Sequence, residues 1–323
     1  MRNLLSLLPA VLLTFSLQLA EPAAGRAAKI PVILDTDIGD DIDDTWALVV
    51  LLKSPELDLK LVTTTYGKAE YRAKIVAKML TVAARTDVHV GLGEGGHDGT
   101  GGQQAWVQDY KLADYRGTIH ADGAGALIEL VEKSTTPITI ISIGPLNTLA
   151  AALQRRPEIA ARAAFAGMQG SVRRGYGSAK PEPEWNVKAN VAAAQKVLSA
   201  PWRSIAITPL DTCGLVTLSG DRFEKLKGSK DPRVQAMLEN YRIWARQERL
   251  EAMHSSSVLF DTVGVFLATP AAPSLLELEQ LSIRVTPDGF TRIDPHGAKM
   301  SVATRWKDLD GYRDRLVRIL MEP

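Results

Sequence analysis

Six aspartates fall within ten residues of this chain: Asp35, Asp37, Asp40, Asp41, Asp43 and Asp44, in the segment Val32-Ile33-Leu34-Asp35-Thr36-Asp37-Ile38-Gly39-Asp40-Asp41-Ile42-Asp43-Asp44-Thr45-Trp46-Ala47-Leu48. The cluster directly follows an apolar run with the composition of a buried strand. Asp35 and Asp37 share one side of an extended chain, because side chains alternate with a period of two. Asp43 and Asp44 fall where a helix begins, and negative charge is favoured there. Gly39 lets the chain between them turn back. Carboxylates gathered this closely repel one another unless a cation neutralises them, and hard oxygen ligands select calcium or magnesium. A cation of that kind can also acidify a water whose proton a free carboxylate then removes.

Three other readings of the segment compete. A solvated acidic turn with helix caps needs no ligand, but six carboxylates at the end of an apolar strand are placed where open α/β sheets bind ligands. An EF-hand loop starting at Asp35 requires Gly at position six and Glu at position twelve; the chain has Asp40 and Trp46 there, so that reading fails. A phosphatase with an aspartyl nucleophile also opens with Asp-x-Asp after a strand. Such enzymes carry Thr or Val two residues after the second Asp, where this chain has Gly39. The phosphatase stays as an alternative.

The elements that must position the cluster alternate along the chain. Strands are predicted over 30–34, 57–65, 88–92, 138–143, 163–168 and 204–208, and helices from 43 or 44 to about 52, then over 71–84, 124–132, 146–161 and 191–198. Repeated β-α units of this kind predict an α/β fold: an open, mostly parallel, Rossmann-like sheet with helices on both faces. Later helices are expected over 234–252, 258–267 and 310–321, with a β-ribbon of 276–285 and 298–306 around Pro287-Asp288-Gly289. Two long loops, 94–123 and 169–186, interrupt the pattern, and loops of that length in a compact domain are commonly functional. No repeat or linker divides the chain, so residues 29–323 are read as a single domain.

The chain has 323 residues and a formal net charge of +1, which gives no electrostatic argument for nucleic acid or membrane binding. Its one cysteine, Cys213, cannot form an internal disulfide. Residues 1–28 read as a secretory signal peptide: Arg2, an apolar run from Leu4 to Leu19, then a small, Ala-rich segment. That run is short for a membrane span. The expectation is export, to the periplasm or outside the cell, with no membrane attachment after cleavage.

At this point the chain resembles the inosine-uridine type nucleoside hydrolases. That family opens with Asp-x-Asp-x-Gly-x-Asp-Asp after its first strand, and the match is Asp35, Asp37, Gly39, Asp43 and Asp44 with two residues inserted. The resemblance continues in order. Ile143-Gly144-Pro145-Leu146-Asn147 is similar to the family's Gly-Pro-Leu-Thr-Asn, Met168-Gln169-Gly170 to its Met-Gly-Gly, Glu184-Trp185-Asn186 to its Glu-Phe-Asn, and Phe260-Asp261-Thr262 to its His-Asp-Pro. The resemblance implies Ca2+ held by Asp37, Asp44, Asp261 and the backbone carbonyl of Ile143. It implies Asp37 as general base on the attacking water. It places Asp43, Asn186 and Asp261 on ribose hydroxyls, Glu184 at the 5′ end and Met168 along the ribose pocket. The implied reaction is hydrolysis of the N-glycosidic bond of a ribonucleoside or related N-riboside, giving ribose and free base. The implied partner is a small-molecule nucleoside, and homo-oligomers are common in the family.

The match breaks on the leaving-group side. Phe260 stands where the family has the His that helps protonate the departing base, and Gly67-Lys68 stands where it has Gly-Asn. A neutral base leaves poorly as an anion, so a proton donor is valuable. Candidates are His97, His120, His254, Tyr241, Arg242 and Lys68, with Trp106, Trp185 and Trp244 as stacking partners for a base. Tyr176 and Ser178 lie nearest to a ribose-binding Asn of the family that has no clear counterpart here. A second function class follows from these losses: a calcium- and ribose-binding protein without turnover.

Overall fold

The computed structural model describes residues 28–95 and 99–322. The expected leader, up to residue 27, and the candidate donor His97 lie outside the described residues. In chain order the elements are β1 (Ile30–Thr36), α1 (Asp43–Lys53), β2 (Leu57–Thr64), α2 (Ala69–Val82), β3 (His89–Gly91), α3 (Gln104–Val107), β4 (Ile119–His120), α4 (Gly123–Lys133), β5 (Ile138–Ser142), α5 (Asn147–Arg155), α6 (Ile159–Arg162), β6 (Ala163–Met168), α7 (Trp185–Lys188), α8 (Val191–Leu198), β7 (Ser204–Thr208), α9 (Leu210–Cys213), α10 (Asp221–Lys227), α11 (Pro232–Trp244), α12 (Phe260–Leu267), α13 (Ala272–Leu275), β8 (Leu276–Val285), β9 (Thr291–Ile293), β10 (Ala298–Trp306) and α14 (Leu309–Met321).

The strands form one ten-stranded sheet in the order β4-β3-β2-β1-β5-β6-β7-β10-β8-β9. From β4 to β10 every pairing is parallel; β8 and β9 close the far edge antiparallel. Strand order reverses between β1 and β5. That is the topological switch point, where the loops leaving the two strands diverge and open a crevice. Asp37 follows β1 and Ile143 follows β5, so both stand at this crevice.

The alternation along β1 sends Val32 and Leu34 into one core cluster and Ile33 into the other, so both faces of the sheet are covered. On the first face lies α1, whose residues from Asp43 to Leu51 are all buried. An apolar helix buried all round belongs inside the domain, and α1 packs against α11, α12 and α14. This brings the start of α1, with Asp43 and Asp44, beside the start of α12, with Asp261. The helix cap is Ile42, and Asp43 and Asp44 occupy the first turn.

Some boundaries differ from the sequence expectation for local reasons. The helix expected over 146–161 breaks into α5 and α6. Arg156 precedes Pro157 and adopts φ −143°, ψ 78°, because the proline ring disfavours a helical residue before it. The helix expected over 234–252 ends at Trp244, and Arg246 turns out of it at φ +53°. The turn Pro287-Asp288-Gly289 joins β8 to β9, with Val285 opposite Thr291, whereas β10 pairs along the other side of β8. The two long loops carry short structure of their own: α3 and β4 in the first, and a 3-10 turn at Tyr176–Ser178 and the start of α7 in the second.

Candidate active site

The loop between β1 and α1 is held from below by one residue that sequence reasoning missed. Arg72 on α2 is fully buried. Its guanidinium donates to the carbonyls of Asp37 and Ile38, the latter at 2.9 Å, to those of Tyr66 and Gly67 at 2.9–3.1 Å, and to the Asp40 carboxylate at 2.9 Å. Asp40 of the inserted pair thus anchors the loop to α2. Asp40 also pairs with Lys68 at 2.5 Å, and its carbonyl accepts from the Trp244 indole at 2.9 Å. Asp41 accepts from the Ile42 backbone N–H at 2.7 Å. Gly39 turns the chain at φ +118°, and a Cβ there would stand 2.6 Å from the Tyr71 ring, so only glycine fits without displacement.

Above this support lies a cavity of about 370 Å³. Its wall includes all eight residues singled out from the sequence: Asp37, Asp43, Asp44, Ile143, Met168, Glu184, Asn186 and Asp261. Asp40, Asp41, Tyr176, Trp185 and Phe260 complete it. They come from the ends of β1, β5 and β6, the starts of α1, α7 and α12, and the loop before α7.

Burial raises the affinity of these carboxyls for protons. Asp37 is pushed up to about 6, chiefly by desolvation, with Arg72 pulling down, Asp40 pushing up and the Trp185 indole assisting the charged form. Asp43, Asp44 and Asp261 are all raised by burial first; next comes the charge of Asp41 for Asp43, of Asp37 and then Asp43 for Asp44, and of Asp43 and Asp44 for Asp261. Oxygens of these three carboxyls lie within 4.8 Å of one another. Asp44 also accepts from the Thr36 hydroxyl, and Asp43 from the Asp261 backbone N–H at 3.2 Å. Buried hard oxygens at that spacing, mutually repelling, fit a divalent cation with oxygen ligands at 2.3–2.6 Å. The tightest group thus contains Asp43, which the resemblance assigned to the sugar, and leaves Asp37 to one side.

Asn186 ties two strand ends together. Its Nδ2 donates to the Ile143 carbonyl at 3.1 Å, the Met168 carbonyl at 3.0 Å and the Met168 sulfur at 3.3 Å. A carbonyl has two lone pairs, so Ile143 keeps one for another partner. Glu184 caps α7. Its carboxylate accepts from the backbone N–H groups of Asn186 at 2.7 Å and Val187 at 3.4 Å, and from Gly170 at 2.8 Å. Burial nevertheless lifts it to about 7.

Asp35 does not reach the cavity. It is wholly buried, accepts from the Thr63 hydroxyl at 2.7 Å, and is pushed up to about 8 by desolvation. A carboxyl enclosed away from the cavity cannot reach a substrate as a nucleophile, and the phosphatase alternative loses its key residue. The described proton-donor candidates also lie elsewhere. His120 pairs with His89 at 2.9 Å, His254 faces Glu224 at 3.7 Å, Tyr241 donates to the Ser255 carbonyl, Arg242 binds Glu239, and Lys68 binds Asp40. Of the three tryptophans, Trp106 lies under Lys78 and Trp244 stacks on Tyr241. Only Trp185 lines the cavity, half exposed, edge-to-face with Tyr66.

A sequence model of the family described as inosine-uridine preferring nucleoside hydrolase matches residues 32–313. The chain is 28% identical to a probable uridine nucleosidase 2 of Arabidopsis thaliana, over 84% of this chain and 85% of that one. It is 31% identical to a pyrimidine-specific ribonucleoside hydrolase, RihA, of Escherichia coli, over 53% of this chain and 57% of that protein. The fold is shared with a plant nucleoside hydrolase (23% identity, TM-score 0.72, 91% and 98% of the two chains). It is shared likewise with the inosine-uridine preferring nucleoside hydrolase of Bacillus anthracis (19%, 0.73, 90% and 99%). The chain belongs to the inosine-uridine preferring nucleoside hydrolase family, and is accordingly a hydrolase acting on N-glycosyl compounds.

Proposed function

We propose that this protein cleaves the N-glycosidic bond of a ribonucleoside or related N-riboside in a calcium-dependent reaction, releasing ribose and the free base. The observation that carries the reading is the set of four buried carboxyls, Asp37, Asp43, Asp44 and Asp261, on one cavity at the switch point of the sheet.

Calcium, held by Asp44, Asp261, the free lone pair of Ile143 and an oxygen of Asp37 or Asp43, would supply the positive charge that keeps these carboxyls ionised and acidifies a bound water. Asp37 takes the proton of the water that attacks C1′. Its place on the cavity wall at the end of β1 suits it to this work, since a general base must lie within reach of the proton it removes. Asp43, Asp261 and Asn186 hold the ribose hydroxyls, Glu184 holds the 5′ end, and Met168 packs against the sugar. As the C1′–N bond lengthens the sugar becomes oxocarbenium-like, and the surrounding carboxylates favour that positive charge.

The test is release of reducing sugar from a panel of purine and pyrimidine nucleosides, with calcium, with chelator, and with Asp37→Ala. Uridine comes first in the panel because of the relatives' names. Calcium-dependent release that disappears in the variant supports the reading. Calcium binding with no release from any riboside would instead favour a ribose-binding protein, the reading that Phe260 in place of a histidine supports.

A further inference from the structure

We infer that the preferred substrate is an N-riboside whose aglycone is an aromatic cation, of the N-ribosylpyridinium class, instead of a neutral nucleobase. This rests on the nucleoside hydrolase reading above and names the substrate of that same site. Three features of the cavity lead to it.

The first is charge. Seven of the thirteen wall residues are acidic: Asp37, Asp40, Asp41, Asp43, Asp44, Glu184 and Asp261. Among the described residues no Lys, Arg or His is on the wall. The nearest cations, Arg72 and Lys68, are engaged with Asp40 and with backbone carbonyls. A bound divalent ion offsets two charges and leaves the field negative, so a cationic ligand is favoured at entry.

The second is the aromatic wall. Tyr176, Trp185 and Phe260 line the cavity together, with Tyr176 and Phe260 edge-to-face at 6.0 Å. Trp185 is 49% and Tyr176 40% exposed, uncommon for large rings in a folded chain. Aromatic faces attract flat cations.

The third is the proton account. A neutral base departs as an anion and needs a donor. Phe260 supplies none, and burial beside Glu184 pushes the Tyr176 phenol up, away from acidity. A pyridinium aglycone needs no donor. The C1′–N bond breaks with its electron pair going to nitrogen, which leaves neutral. The water oxygen bonds to C1′, and its proton passes to Asp37. The sum is riboside cation plus water giving ribose, neutral pyridine and one proton, with no further reactant.

The test compares kcat/KM for N-ribosylnicotinamide, uridine and inosine in calcium, each corrected for its uncatalysed hydrolysis. The cation is expected to lead by about 100-fold or more, the lower end of what a missing general acid costs the neutral substrates. Phe260→His is expected to narrow that ratio by about 10-fold or more by raising the neutral substrates alone. Trp185→Leu is expected to raise KM for the cation by about 3- to 10-fold. Neutral nucleosides cleaved as fast as the cation, a ratio indifferent to Phe260→His, or uridine cleavage lost in His97→Ala would overturn the inference and leave the hydrolase reading standing. No cleavage of any of the three would overturn both.

Discussion

Arg72 donates through Nη2 to the Asp40 carboxylate at 2.9 Å, and the same guanidinium binds the Ile38 carbonyl within the loop that carries Asp37 and the Tyr66 carbonyl in the loop between β2 and α2. The bond crosses from α2 to the acidic loop. It gives that loop a fixed floor of positive charge beneath carboxyls that would otherwise repel one another. Replacing Arg72 by Met removes donors from several buried carbonyls at once, and each orphaned group costs about 1–3 kcal/mol. Half-exposed Asp40 adds little, since water solvates it once the pair is gone. The expected loss is about 2–5 kcal/mol of unfolding free energy, read from urea titrations of the two proteins, with activity falling beyond what the folded fraction explains. An Arg72→Met variant of unchanged midpoint would show that the floor is not needed.

The aspartate cluster and the alternation of strands and helices could be read from the chain because both are local. An apolar run ending in Asp-x-Asp implies a strand with its acids at the tip. Asp261 was legible because a carboxyl in the first turn of an apolar helix needs a partner. Arg72 was not. Its partners are mostly backbone carbonyls, some of them more than thirty residues away, and no side-chain pattern announces a carbonyl. For the same reason no sequence pattern assigned the two inserted aspartates a role, whereas Asp40 faces Arg72 and Lys68 and its carbonyl accepts from Trp244. Spacing also could not separate Asp37 from Asp43 as members of the tightest carboxyl group. Which one joins Asp44 and Asp261 depends on how the loop folds over Gly39.

Cation removal is expected to reverse the order of stability of two proteins. In wild type, Asp43, Asp44 and Asp261 repel when no ion is present, and a saturating ion at about 100 times its Kd adds about 2.7 kcal/mol. Asp261→Asn removes one of the repelling charges and one ligand together. In chelator the variant should melt above wild type, and in millimolar calcium below it. Thermal unfolding under both conditions reads this directly, and curves that keep the same order in both would count against a cation site.

Glu184 gives a pH dependence with a definite sign. Its folded pKa, pushed up to about 7 by burial, exceeds the ordinary value of 4.5 that it takes in the unfolded chain. The folded state therefore binds its proton more tightly. The associated stability is fully present below about pH 4.5 and is lost as pH rises through about 7. Glu184→Gln removes the titration. The difference in melting temperature between wild type and variant should shift against wild type across pH 5–8, in chelator, where the metal ligands contribute the same background to both. A difference that does not change with pH would mean that the backbone N–H groups of Gly170, Asn186 and Val187 hold the carboxylate ionised throughout.

The last expectation concerns Gly144, the residue after Ile143. A Cβ on Gly144 would lie 2.7 Å from Oδ1 of Asp37 and 2.8 Å from its backbone nitrogen. Both distances are below any real contact of such atoms, so the backbone after β5 passes Asp37 at the closest approach a chain permits. The Asp37 carboxylate can swing, whereas its nitrogen is held by the strand it directly follows. Gly144→Ala must then displace the proposed base, the Ile143 carbonyl, or both. Overpacking of this kind costs about 1–3 kcal/mol, which a protein of this size can absorb. Catalysis is more exacting, since a shift of about 1 Å in a positioned group costs on the order of 100-fold in rate. The variant should be folded by its melting curve yet lose about 100-fold in kcat, with KM changed far less because the groups assigned to the sugar keep their places. Full activity in a folded Gly144→Ala protein would show that neither the position of Asp37 nor that of the Ile143 carbonyl limits the reaction, and would count against both assigned roles.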